Sequence, residues 1–129
     1  MVDRASVAAW IEGYERAWRT AGTAGLRELF DEGATYRMSP YEKPVRGLAA
    51  IEGLWERERD GPDEGFEMSR EVIAVEGDTA VARIEVAYAR GEQYRDLWIV
   101  RFAADGRCRE FEEWPFWPDR EIPTLGGER

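Results

Sequence analysis

Residues 66–114 read FEMSREVIAVE-GD-TAVARIEVAYA-RGEQ-YRDLWIVRF-AADG-RCREFEEW, and polarity along them alternates with a period of two. Successive strand side chains point to opposite faces, so this period predicts strands over Phe66–Val75, Thr79–Ala89, Tyr94–Phe102 and Arg107–Trp114. The breaks are turn-like: Gly77-Asp78, Arg90-Gly91-Glu92-Gln93 and Asp105-Gly106. Long strands in series on short turns make an antiparallel meander.

Upstream the period is helical. Val7, Trp10, Ile11, Tyr14 and Trp18 form one apolar stripe, with Ser6 read as its N-cap and Gly22 as its stop. Thr23 is placed to cap a second helix through Leu26, Leu29 and Phe30, closed by Gly33. Ala34–Met38 reads as a strand, and Pro44 and Gly47 frame a loop. A third helix carries Leu48, Ile51, Leu54 and Trp55 on one face. Its charged end, Glu56–Asp60, reads as a solvated face, and Asp60–Gly65 as a loop by composition.

Helices first and a meander afterwards predict an α+β fold. Three N-terminal helices pack on a strongly curved, mainly antiparallel sheet, a cone enclosing a pocket between helix one, helix three and the concave face. No repeat or linker divides residues 1–129, so a single domain is expected, with 115–129 as an irregular tail.

Composition excludes much chemistry. The chain has no histidine, one cysteine (Cys108) and one lysine (Lys43). Imidazole-based triads, imidazole zinc sites, thiolate metal sites and an internal disulfide are therefore absent, and no metal is expected. The net charge of −9 disfavours nucleic acid and anionic membranes. No apolar run is long enough to span a bilayer or to serve as a signal peptide, and a cytoplasmic location is expected.

What remains for acid–base work is carboxylate and phenol. Asp96, Trp98, Val100 and Phe102 share one strand face, which puts an acid among bulky apolar groups. Such a group has a raised pKa, because burial disfavours its charge. Asp96 is a candidate general acid or base, or a partner of Arg95, Arg37 or Arg101. Glu113 follows the same logic on the last strand. There Phe111, Glu113 and Pro115 share one face, while the other carries Glu112, Trp114 and Phe116, the more apolar set. Strand 79–89 presents a similar choice between Ile84, Val86 and Tyr88 and the mixed face of Arg83 and Glu85. Alternation alone does not decide either case. Tyr14 is a core phenol or a donor to a ligand oxygen. Trp10, Trp18, Tyr36, Met38, Trp55 and Trp98 are candidate pocket walls for a small apolar molecule, and the aromatic patch Trp114, Phe116 and Trp117 covers a groove, closes the pocket or meets a second subunit.

Five stretches, Val7–Tyr14 (VAAWIEGY), Leu29–Tyr36 (LFDEGATY), Pro44–Ile51 (PVRGLAAI), Leu97–Gly106 (LWIVRFAADG) and Phe111–Trp114 (FEEW), together resemble the nuclear transport factor 2-like superfamily and its SnoaL-like, polyketide-cyclase-like branch. The resemblance implies a cone-shaped pocket and a homodimer through the outer sheet face. It places Phe111 and Glu113 inward. It does not imply one reaction, since such folds serve isomerases, cyclases, dehydratases, hydrolases and non-catalytic binders. Set against ketosteroid isomerase, Tyr14 falls at the oxyanion-hole tyrosine. Met38 stands at the position of the catalytic aspartate, and Trp98 at that of the second oxyanion donor. A steroid isomerase of that mechanism is therefore not expected. The expectations are an enzyme moving a proton with Asp96 or Glu113 and Tyr14, needing no cofactor, or a binding module with the same cavity.

Overall fold

The computed structural model describes residues 2–59 and 65–119. Most of the loop read at Asp60–Gly65 and the tail beyond Asp119 lie outside the described residues. Helix α1 (Arg4–Trp18) buries Val7, Trp10, Ile11 and Tyr14, the predicted stripe. Its N-cap is Asp3 and not Ser6. Asp3 Oδ1 accepts from the Ser6 backbone at 2.8 Å, and Ser6 Oγ accepts from the Asp3 backbone at 3.1 Å. Ser6 is thus the third helical residue of a reciprocal cap, and the helix starts three residues earlier than a Ser6 cap would give.

Helix α2 is a single turn, Leu26–Leu29, and passes straight into β1 (Phe30–Arg37). The reading of a helix closed by Gly33 was too long, and the strand reading at Ala34 began too late. Phe30 is extended, fully buried, and paired with Cys108. A bulge between Phe30 and Thr35 absorbs Gly33 within the strand. The segment read as a loop before the third helix contains a short strand, β2 (Val45–Arg46), opposite Tyr36 and Thr35. Gly47 follows at φ 91°, a left-handed turn into α3 (Leu48–Glu58) that a side chain would strain.

The meander is present as β3 (Phe66–Glu76), β4 (Thr79–Tyr88), β5 (Gln93–Phe102) and β6 (Cys108–Phe116). The sheet order is β2-β1-β6-β5-β4-β3, antiparallel except for the parallel β1–β6 pair. Strand β6 runs two residues past the predicted end, through Pro115 opposite Asp96, so the irregular tail begins later than expected.

Register settles the two open faces. Ala80, Ala82 and Ile84 point into the core, as do Trp98, Val100, Phe102 and Phe111. Arg83 and Glu85 point outward, where Arg83 meets Glu71 at 3.7 Å and Glu85 meets Arg95 at 3.8 Å. Exposed pairs of this kind contribute about 0–1 kcal/mol. Glu113 lies inward with Phe111, as the resemblance implied and against the apolar count.

The core centres on Trp10. Its ring packs within 5.7–6.3 Å of Tyr14, Phe30, Trp98, Phe102 and Phe111, and its Nε1 donates to the Leu29 carbonyl at 2.9 Å. Helix α1 lies along the outer edge of β3. Arg4 donates to the Val72 and Ile73 carbonyls at 2.5 and 3.2 Å, and Arg19 to the Phe66 carbonyl at 2.9 Å. Arg59, read as part of a solvated charge run, instead fastens α3 to the end of α1. It donates to the Ala17, Thr20 and Gly22 carbonyls at 3.1, 2.8 and 2.8 Å. Among the described residues no helix is long and apolar enough to cross a membrane.

Candidate functional site

Between α1, α3 and the concave sheet face lies a cavity of about 280 Å³. Its walls include the rings of Trp18, Trp55, Phe66, Tyr88 and Tyr94. Its polar groups are Tyr14, Tyr36, Asp96 and Glu113, with Glu58 and Arg90 at the exposed end.

Four strands and helices deliver these groups to one point. Tyr14 comes from the buried stripe of α1, and Tyr36 from β1, where it pairs with Phe111 of β6. Glu113 sits opposite Trp98, one pleat from Asp96 on the same face of β5. The two acids are distant in sequence and adjacent only through this register.

The geometry is a chain of contacts. Tyr14 Oη and Tyr36 Oη are hydrogen-bonded at 2.8 Å. Tyr36 Oη reaches Glu113 Oε1 at 3.4 Å. Glu113 and Asp96 are neighbours on the inner sheet face, one pleat apart across the β5–β6 pair. Among the described residues neither acid has a cationic partner. Arg37 donates instead to the Pro40 carbonyl, while Arg95 pairs with Glu85 and Arg101 with Glu110. Asp96 is only 6% exposed, and its Oδ1 is shielded from solvent without a hydrogen-bond partner. The indole N–H groups of Trp55 and Trp98 are likewise buried without an acceptor in hydrogen-bonding geometry.

Two neighbouring carboxyls, Asp96 buried and Glu113 half-buried, cannot both ionise readily without a counter-charge. Burial pushes Glu113 well above the usual carboxylate range, and the neighbouring Asp96 pushes it further. Burial also raises Asp96, while the neighbouring Glu113 and Trp98 side chains work the other way. Both carboxyls are thus drawn toward their neutral forms. Burial first, then the neighbouring phenol and acids, hold Tyr14 well above its ordinary value, and burial followed by Glu113 does the same for Tyr36. Both phenols stay neutral donors. The arrangement therefore offers a desolvated base, an acid beside it and two hydroxyls in one apolar cavity.

Of the sequence candidates, Tyr14, Trp18, Tyr36, Met38, Trp55, Asp96, Trp98 and Glu113 all line the cavity. Trp10 does not. It lies one helical turn before Tyr14, and its indole N–H is committed to Leu29, so it supports the site from the core side. Trp117 closes part of the cavity, whereas Trp114 and Phe116 fall on the opposite parity. Tyr88 and Tyr94 were not among the pocket candidates. Tyr88 shares the parity of Ile84 and Val86, and Tyr94 that of Asp96, so extending the alternation to the strand ends finds both. Among the described residues no group of three or more acids or cysteines is placed to hold a metal.

Solved structures share this architecture. An NTF2-like protein of unknown function from Mesorhizobium loti is 24% identical, with a TM-score of 0.65 over 90% of this chain and 96% of its own. A candidate SnoaL-like polyketide cyclase from Jannaschia sp. CCS1 is 20% identical, with a TM-score of 0.64 over 82% and 84%. A candidate ketosteroid isomerase from Parabacteroides distasonis ATCC 8503 is 18% identical, with a TM-score of 0.60 over 84% and 86%. At these identities the likeness is one of fold. No functionally curated protein matches the chain. Residues 8–111 match the SnoaL-like domain model, a span reaching from the first helix to the inward face of the last strand. The chain belongs to the SnoaL-like domain family of the NTF2-like superfamily.

Proposed function

We propose that this protein is an acid–base enzyme that needs no cofactor and acts on a small, mostly apolar oxygenated molecule in the cone. Asp96 and Glu113 move the proton, and Tyr14 holds the oxygen on which charge develops. The observation that carries this reading is a pair of neighbouring acids without a counter-cation, Asp96 buried and Glu113 half-buried, with Glu113 accepting from Tyr36, which in turn bonds Tyr14, in one cavity. A folded chain bears the cost of desolvating such a pair, and perturbed titratable groups in a cleft are the mark of a reaction site. The isomerase and cyclase descriptions of the similar structures agree with this class of chemistry.

Size limits the substrate. A cavity of about 150 Å³ holds benzene, so in proportion about 280 Å³ takes about eleven non-hydrogen atoms, one or two rings. Tetralone, a bicyclic ketone of that size, is a suitable probe. The wild-type protein is expected to exchange its C–H protons next to the carbonyl for deuterium in heavy water, followed by NMR. Asp96→Asn is expected to slow exchange by about 10²–10⁴. Tyr14→Phe is expected to slow it by about 10²–10³. Equal rates in all three proteins would sink the reading. The alternative, a non-catalytic binder, has one observation in its favour: the Tyr14 hydroxyl is already engaged by Tyr36. Tetralone that binds without exchanging selects that alternative.

The same proposal includes a homodimer and a cytoplasmic setting, with neither nucleic acid nor membrane as partner. On the outer sheet face Val81 pairs with Ile99 and Leu97 with Trp114, and Phe116 lies next along β6. All five are only part-buried in the single chain. A contiguous apolar face of this kind supports association. Sedimentation at micromolar concentration is expected to give a dimer, and Leu97→Glu a folded monomer. A wild-type protein that sediments as a monomer rejects the dimer.

A further inference from the structure

The strand register stacks the cavity in layers. Trp98 and Glu113 lie deepest, Asp96 comes next beside Ile84 and Pro115, and Tyr94 follows one pleat nearer the mouth, beside Val86. From Tyr94 an arc of rings runs around the rim. Phe66 of β3, Tyr88 of β4, Tyr94 of β5 and Trp117 after β6 follow one another at centroid distances of 5.7–6.2 Å, the last two pairs standing nearly edge to face at 88° and 72°. Trp18 and Trp55 close the helix side in the same manner, 4.8 Å apart at 70°. Rings set at such angles are the walls of a box, and an aromatic face attracts a cation. Two rings of this collar already hold one from the chain itself: the Arg19 guanidinium sits 3.8 Å over Phe66, and that of Arg90 4.7 Å over Tyr88.

Charge points the same way. Among the described residues Arg90 is the one cation on the cavity wall, and it is paired with Glu92. Against it stand Asp96 and Glu113 within and Glu58 of α3 at the rim. Tyr14 of α1 and Tyr36 of β1 carry no charge at neutral pH. Asp96 is 6% exposed, and no described group satisfies its Oδ1. A neutral guest would seal these carboxyls in without a counter-charge, and an anion would add repulsion. A cation supplies what is missing. We propose that the cavity selects an organic cation, a quaternary or protonated amine carried on one or two rings, whose nitrogen sits between Asp96 and the aromatic collar. This rests on the acid–base reading above and names its substrate class: the oxygenated molecule also carries a positive nitrogen. Docking of that charge ionises the neighbouring carboxyl, whose proton leaves to solvent, so the base is made as the guest arrives.

Two probes of one shape test this: (4-hydroxyphenyl)trimethylammonium and 4-tert-butylphenol. Each has about eleven non-hydrogen atoms, the number this cavity takes, and they differ only in a charged nitrogen for a carbon. Titration calorimetry of the wild-type protein is run in about 0.15 M salt, which screens the surface charge of the chain. The ammonium is expected to bind about 30-fold more tightly than its carbon analogue, the ratio that one desolvated contact between a cation and a ring gives. Its affinity is expected to rise with pH, with protons released to the buffer on binding, and the carbon analogue to release none. Asp96→Asn is expected to lower the ammonium's affinity by about tenfold and leave that of the carbon analogue nearly unchanged. Tyr94→Leu removes a ring of the collar and is expected to narrow the preference too. Equal or tighter binding of 4-tert-butylphenol overturns the proposal. So does a preference that salt abolishes, or one that both variants leave intact, or binding of neither probe. Each of these outcomes leaves the acid–base reading to its own test, deuterium exchange into tetralone. Exchange absent there with the ammonium still preferred overturns the acid–base reading and leaves a cation-binding module.

Discussion

Trp10→Ala is expected to cost this fold more than any substitution in the cavity wall. Its ring touches five others across α1, β1, β5 and β6, so truncation removes contacts from every layer of the core at once. Large-to-small aromatic changes in cores cost about 3–5 kcal/mol, because neighbours only partly close the space. The Leu29 carbonyl also loses its buried donor, adding about 1–3 kcal/mol. Against a typical total of about 5–15 kcal/mol, the variant keeps a small remainder or unfolds. Urea denaturation measures this as a fall in midpoint at nearly constant slope. A loss below about 1 kcal/mol would show that the ring is a dispensable wall, as its sequence position alone allowed.

Glu113→Gln is expected to make the protein more stable than wild type at neutral and alkaline pH. The folded-state pKa of Glu113 is raised, so the folded state binds a proton more tightly than the unfolded chain does. The stability this gives is fully present below the ordinary carboxyl pKa. It is lost as pH rises through the folded value, where the two neighbouring acids are forced to carry two charges. Glutamine keeps a donor for Asp96 and an acceptor for Tyr36 but never ionises. The variant-minus-wild-type stability therefore grows with pH, by about 1.4 kcal/mol for every tenfold change in proton affinity, and levels off above the folded pKa. Asp3, Asp78 and Asp105 have lowered values and act with the opposite sign at acid pH, but they are common to both proteins and cancel. Paired thermal melts from mildly acid to alkaline pH measure the difference. A flat difference curve rejects the raised Glu113 value.

The meander and the α1 stripe were legible because each rests on a local period: Val7, Trp10, Ile11 and Tyr14 on one helix face, and Asp96, Trp98, Val100 and Phe102 on one strand face. The facing of Glu113 was not. Between Arg101–Glu110 and Phe102–Cys108 the register shifts by one residue, leaving Arg109 unpaired in a bulge. A one-residue slip exchanges the two faces of a strand, so no count of apolar residues along β6 alone could choose between Glu112 and Glu113. The same holds for the acid pair, which exists only because Glu113 falls opposite Trp98. The end of α2 was misread for a different reason. Leu26, Leu29 and Phe30 are apolar enough for a helix face, but Phe30 gains more by pairing beside Cys108 in a buried strand.

The guanidinium groups of Arg4 and Arg19 lie where another polypeptide would have to dock to lengthen the sheet. An eleven-residue outermost strand is an invitation to polymerise, since its free amides and carbonyls are a ready template for a foreign strand. Here three of those carbonyls are already taken by side chains from the chain's own first helix. Growth from that side would require lifting the helix that also carries Tyr14, so solubility and the integrity of the cavity depend on the same few bonds.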